Sequence, residues 1–202
     1  IAWVRYQEPE GSLPIVNARA PVLATFDGGP LAAAIEGLHR EAPPRFDQRS
    51  ARAAVTTLRP AIFLDRDGTL IEDPGHLADP AGVVLLPGVV EALQELTRLG
   101  YLRIIVTNQS GIGQGFFTEA DFAAVQAEVE RQLRAHGVTI DAVYHCPHRR
   151  EDGCACRKPG TALHREAAER FGIDLARSWC IGDRPSDLLP SQALGGRAVL
   201  VR

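Results

Sequence analysis

Asp65 and Asp67 follow directly on the apolar run Ala61-Ile62-Phe63-Leu64, and are themselves followed by Gly68 and Thr69. A short apolar run closed by a turn signal reads as a buried strand, so two carboxylates stand at the strand's tip. Two residues apart on extended backbone, they project toward one site. Their summed negative charge favours a divalent cation there, and hard oxygen ligands favour Mg²⁺. Taken alone, Asp-x-Asp-Gly is also the composition of a solvated acidic turn, so the rest of the chain has to decide.

Three later segments repeat the pattern of an apolar run ending in polar chemistry. Arg103 to Val106 runs into Thr107-Asn108-Gln109-Ser110-Gly111, Ala142 to Tyr144 into His145-Cys146, and Trp179 to Ile181 into Gly182-Asp183. Between them lie helical spacings. Val89 to Leu99 carries Val89, Leu93 and Leu96, while Glu119 to Leu133 carries Phe122, Val125, Val129 and Leu133, with Thr118 as N-cap. Strands alternating with helices predict an α/β fold, a parallel sheet covered on both faces by right-handed crossovers. All the polar tips then share one edge of the sheet, where ligands of such folds sit.

Three of the four cysteines fall in Cys146-Pro147-His148 and, five residues on, Cys154-Ala155-Cys156. Two such pairs joined by a short glycine-containing loop can wrap one tetrahedral Zn²⁺, and four protein ligands make a closed, structural site. The plainer alternative is a loop with incidental thiols or a disulfide. Cys180 reads as a buried core thiol, and His145, although next to the cluster, is not counted among its ligands.

A chain of 202 residues with 45% hydrophobic composition can bury a core of one or two domains. The formal charge of −3 with both signs intermixed offers no basic stripe for nucleic acid and no polybasic membrane patch. No stretch of about 18 apolar residues and no signal region appears, so the cytoplasm is the expected location. A monomer is the default expectation. The sequence opens on Ile1 and contains no Met, so it reads as less than a complete translation product.

Taken together, Asp65-x-Asp67-Gly68-Thr69, Thr107-Asn108, Lys158 and Gly182-Asp183-x3-Asp187 resemble the four motifs of the haloacid dehalogenase (HAD) superfamily of phosphotransferases, in order and in strand-tip context. The resemblance spans about Pro60 to Arg202. The segment from Cys146 to Pro159 is similar to that of the capless, zinc-loop subfamily IIIA, which acts on heptose bisphosphates and histidinol phosphate. It implies a HAD-like, Rossmann-like three-layer sandwich with a central parallel sheet, no cap and a zinc-binding loop. It also implies a small phosphorylated metabolite as substrate.

A phosphate dianion repels a carboxylate nucleophile, so a site using one needs cations beside it. Mg²⁺ and Lys158 are the candidates. On the family pattern Asp65 attacks phosphorus and forms an aspartyl-phosphate, and Asp67 protonates the leaving oxygen and later activates water. The metal would take a carboxylate oxygen of Asp65, the backbone carbonyl of Asp67 and the side chain of Asp183. Thr107 would hydrogen-bond a phosphoryl oxygen, with the N–H groups from Asn108 to Gly111 helping; simple turn chemistry is the alternative. Asp187 is either a support of the metal site or an N-terminal helix charge.

Leaving-group recognition in an uncapped site must come from loops. Asp73, Gly75 and His76 sit where the heptose branch has its loop after the first motif, and Asn108, Gln109 and Ser110 follow that branch's Asn-Gln-Ser-Gly pattern. Arg157 has a planar fork suited to a second phosphate, and Arg184 beside Asp183 joins these substrate-binding candidates. The preferred expectation is therefore a heptose bisphosphate made for cell-surface polysaccharide. The five-residue gap between His148 and Cys154 instead matches the histidinol-phosphate branch, which stays as the alternative. A non-catalytic phosphate- or zinc-binding module is a third.

Residues 59–202 are assigned to the phosphatase domain and 1–58 to an extension or linker. In the latter, Pro21 to Phe26 suggests a strand, Asp27 to Pro30 a turn, and Leu31 to Leu38 a short helix.

Overall fold

The computed structural model describes residues 58–201. The strand, turn and helix expected between residues 21 and 38 lie outside the described residues. Five strands, β1 (Ala61–Leu64), β2 (Leu102–Asn108), β3 (Ala142–Cys146), β4 (Trp179–Gly182) and β5 (Arg197–Leu200), form one sheet in the order β3-β2-β1-β4-β5. Every neighbouring pair is parallel, so each connection must cross over the sheet. The crossovers carry α1 (Val89–Arg98), α2 (Ser110–Gln114) with α3 (Glu119–Ala135), α4 (Ala162–Phe171) and α5 (Pro185–Leu194).

Helices on both faces explain why β1 is an unbroken apolar run. Ile62 and Leu64 point into one core with Leu93 and Leu96 of α1 and Val125 and Val129 of α3. Ala61 and Phe63 point into the other, with Leu163 and Ala167 of α4. Leu93 and Leu96 are fully buried, and truncating either to alanine should cost about 2–5 kcal/mol in unfolding free energy. The expected Thr118 cap is present: its hydroxyl accepts from Asp121 N–H, and the Asp121 carboxylate accepts from Thr118 N–H at 2.7 Å.

α2 was not foreseen, because Ser110-Gly111-Ile112-Gly113-Gln114 carries two poor helix formers. Its glycines serve contact rather than propensity. Gly113 N–H donates to Pro147 O at 2.9 Å, and a Cβ on Gly113 would stand 2.7 Å from that same oxygen. Among the described residues, no helix is long and apolar enough to cross a membrane.

From β1 the chain passes to β2 and β3 on one side, then returns to place β4 and β5 on the other. The strand order therefore reverses between β1 and β4, and the crevice at their carboxyl ends is where such sheets bind ligands.

Candidate active site

Asp65 is the first residue beyond β1, and its N–H donates to Ile181 O of β4 at 2.9 Å. This fixes the carboxylate at the reversal point. Lys158 reaches it from the loop after β3: its Nζ donates to Asp65 Oδ1 at 2.7 Å and to Val106 O at 2.5 Å, and pairs with Asp187 Oδ1 at 2.9 Å. Lys158 is only 4% exposed, and an ammonium so far from water needs all three donors satisfied. Burial alone would push its pKa down, but Asp65 and Asp187 outweigh burial and hold it above its ordinary range. Asp187 thus has two partners, since its Oδ2 also accepts Arg184 N–H at 2.9 Å at the start of α5.

Asp183, just beyond β4, completes the centre. Carboxylate oxygens of Asp65, Asp183 and Asp187 lie within 4.8 Å of one another. Burial, then the charges of Asp65 and Asp187, push the Asp183 carboxyl up to about 6. Burial also raises Asp65, partly offset by Lys158. Asp183 Oδ1 is buried with no hydrogen-bond partner. Three carboxylates within 4.8 Å of one another, two of them on Lys158 and the third with an orphaned oxygen, fit a hard divalent cation taking oxygen ligands. Gly68 has a positive φ of 79°, and a Cβ there would stand 2.7 Å from Asp183 Oδ2, so only glycine lets the turn after β1 cross above this group.

The Asp67 side chain is turned to other partners. Arg66 Nη2 donates to its Oδ1 at 3.0 Å, and Gln109 Nε2 donates to its Oδ2 at 2.7 Å and to Thr107 Oγ1 at 2.9 Å. Gln109, expected to meet substrate, is thus engaged with the acid/base candidate. Asn108 holds the Lys158 backbone instead: its Nδ2 donates to Lys158 O at 3.2 Å and its Oδ1 accepts Lys158 N–H at 2.9 Å. Arg66 was missed in the sequence, where an arginine between two aspartates looks solvated; it is 1% exposed.

A cavity of about 720 Å³ opens over these groups. It is lined by Asp65, Asp67, Thr107, Asn108, Gln109, Ser110 and Lys158, by Asp73, Gly75 and His76 on one rim, and by Arg157 and Arg184 on others. Arg150 also lines it, a residue not singled out from the sequence because it lies in a run of mixed charge. Arg184 Nη2 donates to Asp73 Oδ2 at 2.7 Å, Asp73 Oδ1 accepts Gly75 N–H at 2.9 Å, and His76 stacks on Phe116 with centroids 4.6 Å apart. Arg157 Nη1 donates to His148 O at 3.3 Å.

The second cluster lies beside the cavity. Cys146, Cys154 and Cys156 Sγ and His148 Nδ1 approach one another at 3.2–3.6 Å. A tetrahedron with bonds of about 2.3 Å has edges of about 3.8 Å, a little less where the ligand is a nitrogen, so the four donors fit one such ion. Burial, reinforced by the Cys156 thiol, pushes Cys146 up to about 12. His145 faces away from the cluster, with Nε2 2.8 Å from Glu119 Oε2 and its ring on Phe122.

The family profile described as HAD-hydrolase-like matches residues 155–202. The D-glycero-beta-D-manno-heptose-1,7-bisphosphate 7-phosphatase of Vibrio cholerae is 39% identical over 152 residues, covering 71% of this chain and 82% of that protein. Two solved structures are similar. One is the D,D-heptose 1,7-bisphosphate phosphatase from B. bronchiseptica complexed with magnesium and phosphate, with a TM-score of 0.64 and 37% identity, covering 69% of this chain and 78% of that one. The other is the corresponding phosphatase from Burkholderia thailandensis, with a TM-score of 0.53 and 35% identity, covering 70% and 77%.

Proposed function

We propose, starting from the fact that this chain belongs to the HAD-like phosphatases, that it removes a phosphate from a sugar bisphosphate, D-glycero-D-manno-heptose 1,7-bisphosphate, by way of an aspartyl-phosphate. The observation that carries the chemistry is the Asp65 carboxylate at the cavity floor, bonded to the buried Lys158, with the unpartnered Asp183 oxygen beside it. The substrate rests on the names of the relatives and on a rim carrying Arg150, Arg157 and Arg184. Guanidinium groups there suit a second phosphate better than the cationic groups of histidinol phosphate.

Asp65 and Asp183 would hold Mg²⁺, with the Asp67 backbone carbonyl as a third ligand. When bound, the cation supplies the positive charge that lets a phosphate dianion approach a carboxylate. Asp65 attacks phosphorus. Asp67 gives its proton to the departing sugar oxygen, and afterwards takes one from the water that hydrolyses the aspartyl-phosphate. Lys158 neutralises Asp65 and the incoming phosphoryl oxygens, and the Thr107 hydroxyl donates to one of them. Zn²⁺ on Cys146, His148, Cys154 and Cys156 would hold the loop from which Arg157 and Lys158 extend. The four cysteines are all free, which suits a reducing compartment, and the proposal places the enzyme in the cytoplasm.

Phosphate release from both anomers of the heptose bisphosphate and from histidinol phosphate, with Mg²⁺ and with chelator, tests this reading. Fast Mg²⁺-dependent release from one heptose anomer is expected. A higher kcat/KM for histidinol phosphate would overturn the substrate, and no turnover of any would leave the non-catalytic module.

A further inference from the structure

The Asp67 carboxylate is held on both oxygens by side chains that the reaction itself does not consume. Arg66 Nε lies 3.2 Å from each oxygen and Nη2 3.0 Å from Oδ1, while Gln109 Nε2 lies 2.7 Å from Oδ2. The Arg66 guanidinium is itself trapped, stacked 5.1 Å from the centroid of Phe122 and shut away from water. It does not line the cavity, so it has no route to substrate. An arginine buried this deeply is costly to keep and serves no ion pair among the described residues except that with Asp67.

From this geometry we infer that Arg66 and Gln109 are positioning residues that fix the plane of the Asp67 carboxyl for proton transfer to the leaving oxygen. The inference rests on Asp67 being the acid/base of the proposed reaction. In the first displacement the Asp65–phosphorus bond forms as the bond from phosphorus to the leaving oxygen breaks, and the Asp67 proton passes to that oxygen. Both supports donate. A guanidinium has no acceptor, and Gln109 presents its Nε2–H to Asp67 Oδ2, so neither takes the proton from Asp67 and it is left for the departing oxygen.

The test compares phenyl phosphate with p-nitrophenyl phosphate, which have similar shapes but differ in how basic the departing oxygen is. In kcat/KM only the first displacement counts, and a well-placed acid matters more for the more basic leaving group. General acids contribute about 10²–10⁴-fold, so Arg66→Met and Gln109→Met should each lower the phenyl to p-nitrophenyl ratio of kcat/KM at least about tenfold. Equal losses on both substrates, or no loss, in a folded variant would overturn the inference, because a purely structural role does not distinguish leaving groups. If circular dichroism shows that Arg66→Met does not fold, Gln109→Met decides alone. Failure of the wild type to release phosphate from either ester with Mg²⁺ present would overturn the inference by removing the reaction it rests on, and is recognised before any substitution is made.

Discussion

The carboxylate centre and the cysteine–histidine loop lie side by side and are both crowded with ionisable groups, yet they balance their charges differently. The centre supplies a cation of its own: Lys158 lies among Asp65, Asp187 and the Val106 carbonyl, so three acidic groups can coexist before any metal arrives. The loop has no lysine or arginine among its four converging donors, and its thiols are pushed apart: burial holds Cys146 up at about 12, while burial at Cys154 is outweighed by hydrogen bonds from Cys156 and the backbone, which bring it down to about 7. The centre's own lysine pairs two of its three carboxylates, and one oxygen of Asp183 is left over. A loop of thiols that give up protons only on binding an ion would be shaped by that ion.

The sharpest way to break this contrast is Asp65→Asn. It should lower kcat at least about 10³-fold, as loss of a nucleophile does, while the melting temperature stays within a few degrees because Lys158 keeps Asp187. Retained turnover in steady-state assays would refute Asp65 as nucleophile. Lys158→Met should strike both activity and stability. Breaking a buried pair by removing one partner costs about 3–5 kcal/mol, and urea unfolding would measure it.

Cys154→Ser tests the other side. Zinc content by elemental analysis should drop, and the melting temperature should fall further than it does in Asp65→Asn. Unchanged zinc would show the ligand set to be wrong.

A smaller effect concerns His164, which is buried against Phe63 at 4.8 Å between ring centroids. Burial, with the charge of Lys158 nearby, pulls it down from 6.5 to about 3. It therefore stays neutral in the fold while the unfolded chain takes up a proton below about 6.5. Stability is fully present above that pH and is lost as the pH falls toward 3. At pH 5 this amounts to about 2 kcal/mol, and His164→Leu should flatten that part of the unfolding profile. The smallest effect is expected from Asp73→Asn, which weakens an exposed pair with Arg184 worth about 0–1 kcal/mol. It should alter KM more than stability.

Much of the centre was legible because its residues sit where apolar runs end, and strand tips in a parallel sheet must meet at one edge. Asp65, Thr107 and Asp183 followed from that rule, while the four soft ligands were read from their own spacing along one short segment. Contacts made between distant segments were not legible. Nothing local tells that Asn108 is spent on the Lys158 backbone, or that Gln109 turns to Asp67. Arg66 was hidden for a different reason: composition places arginine in water, and only its packed neighbours, the Phe122 ring and the Asp67 carboxylate, show why it is not there. α2 was missed because propensity argues against its glycines, whereas the loop at Pro147 requires them.

Asp187 carries a last consequence. One of its oxygens caps the start of α5 and the other grips Lys158, so a carboxylate that closes this helix also holds the lysine that reaches Asp65. A chain that has formed β1 to β3 but not α5 lacks the Asp187 contact to Lys158, so the charge around that ammonium reports whether the C-terminal part has folded.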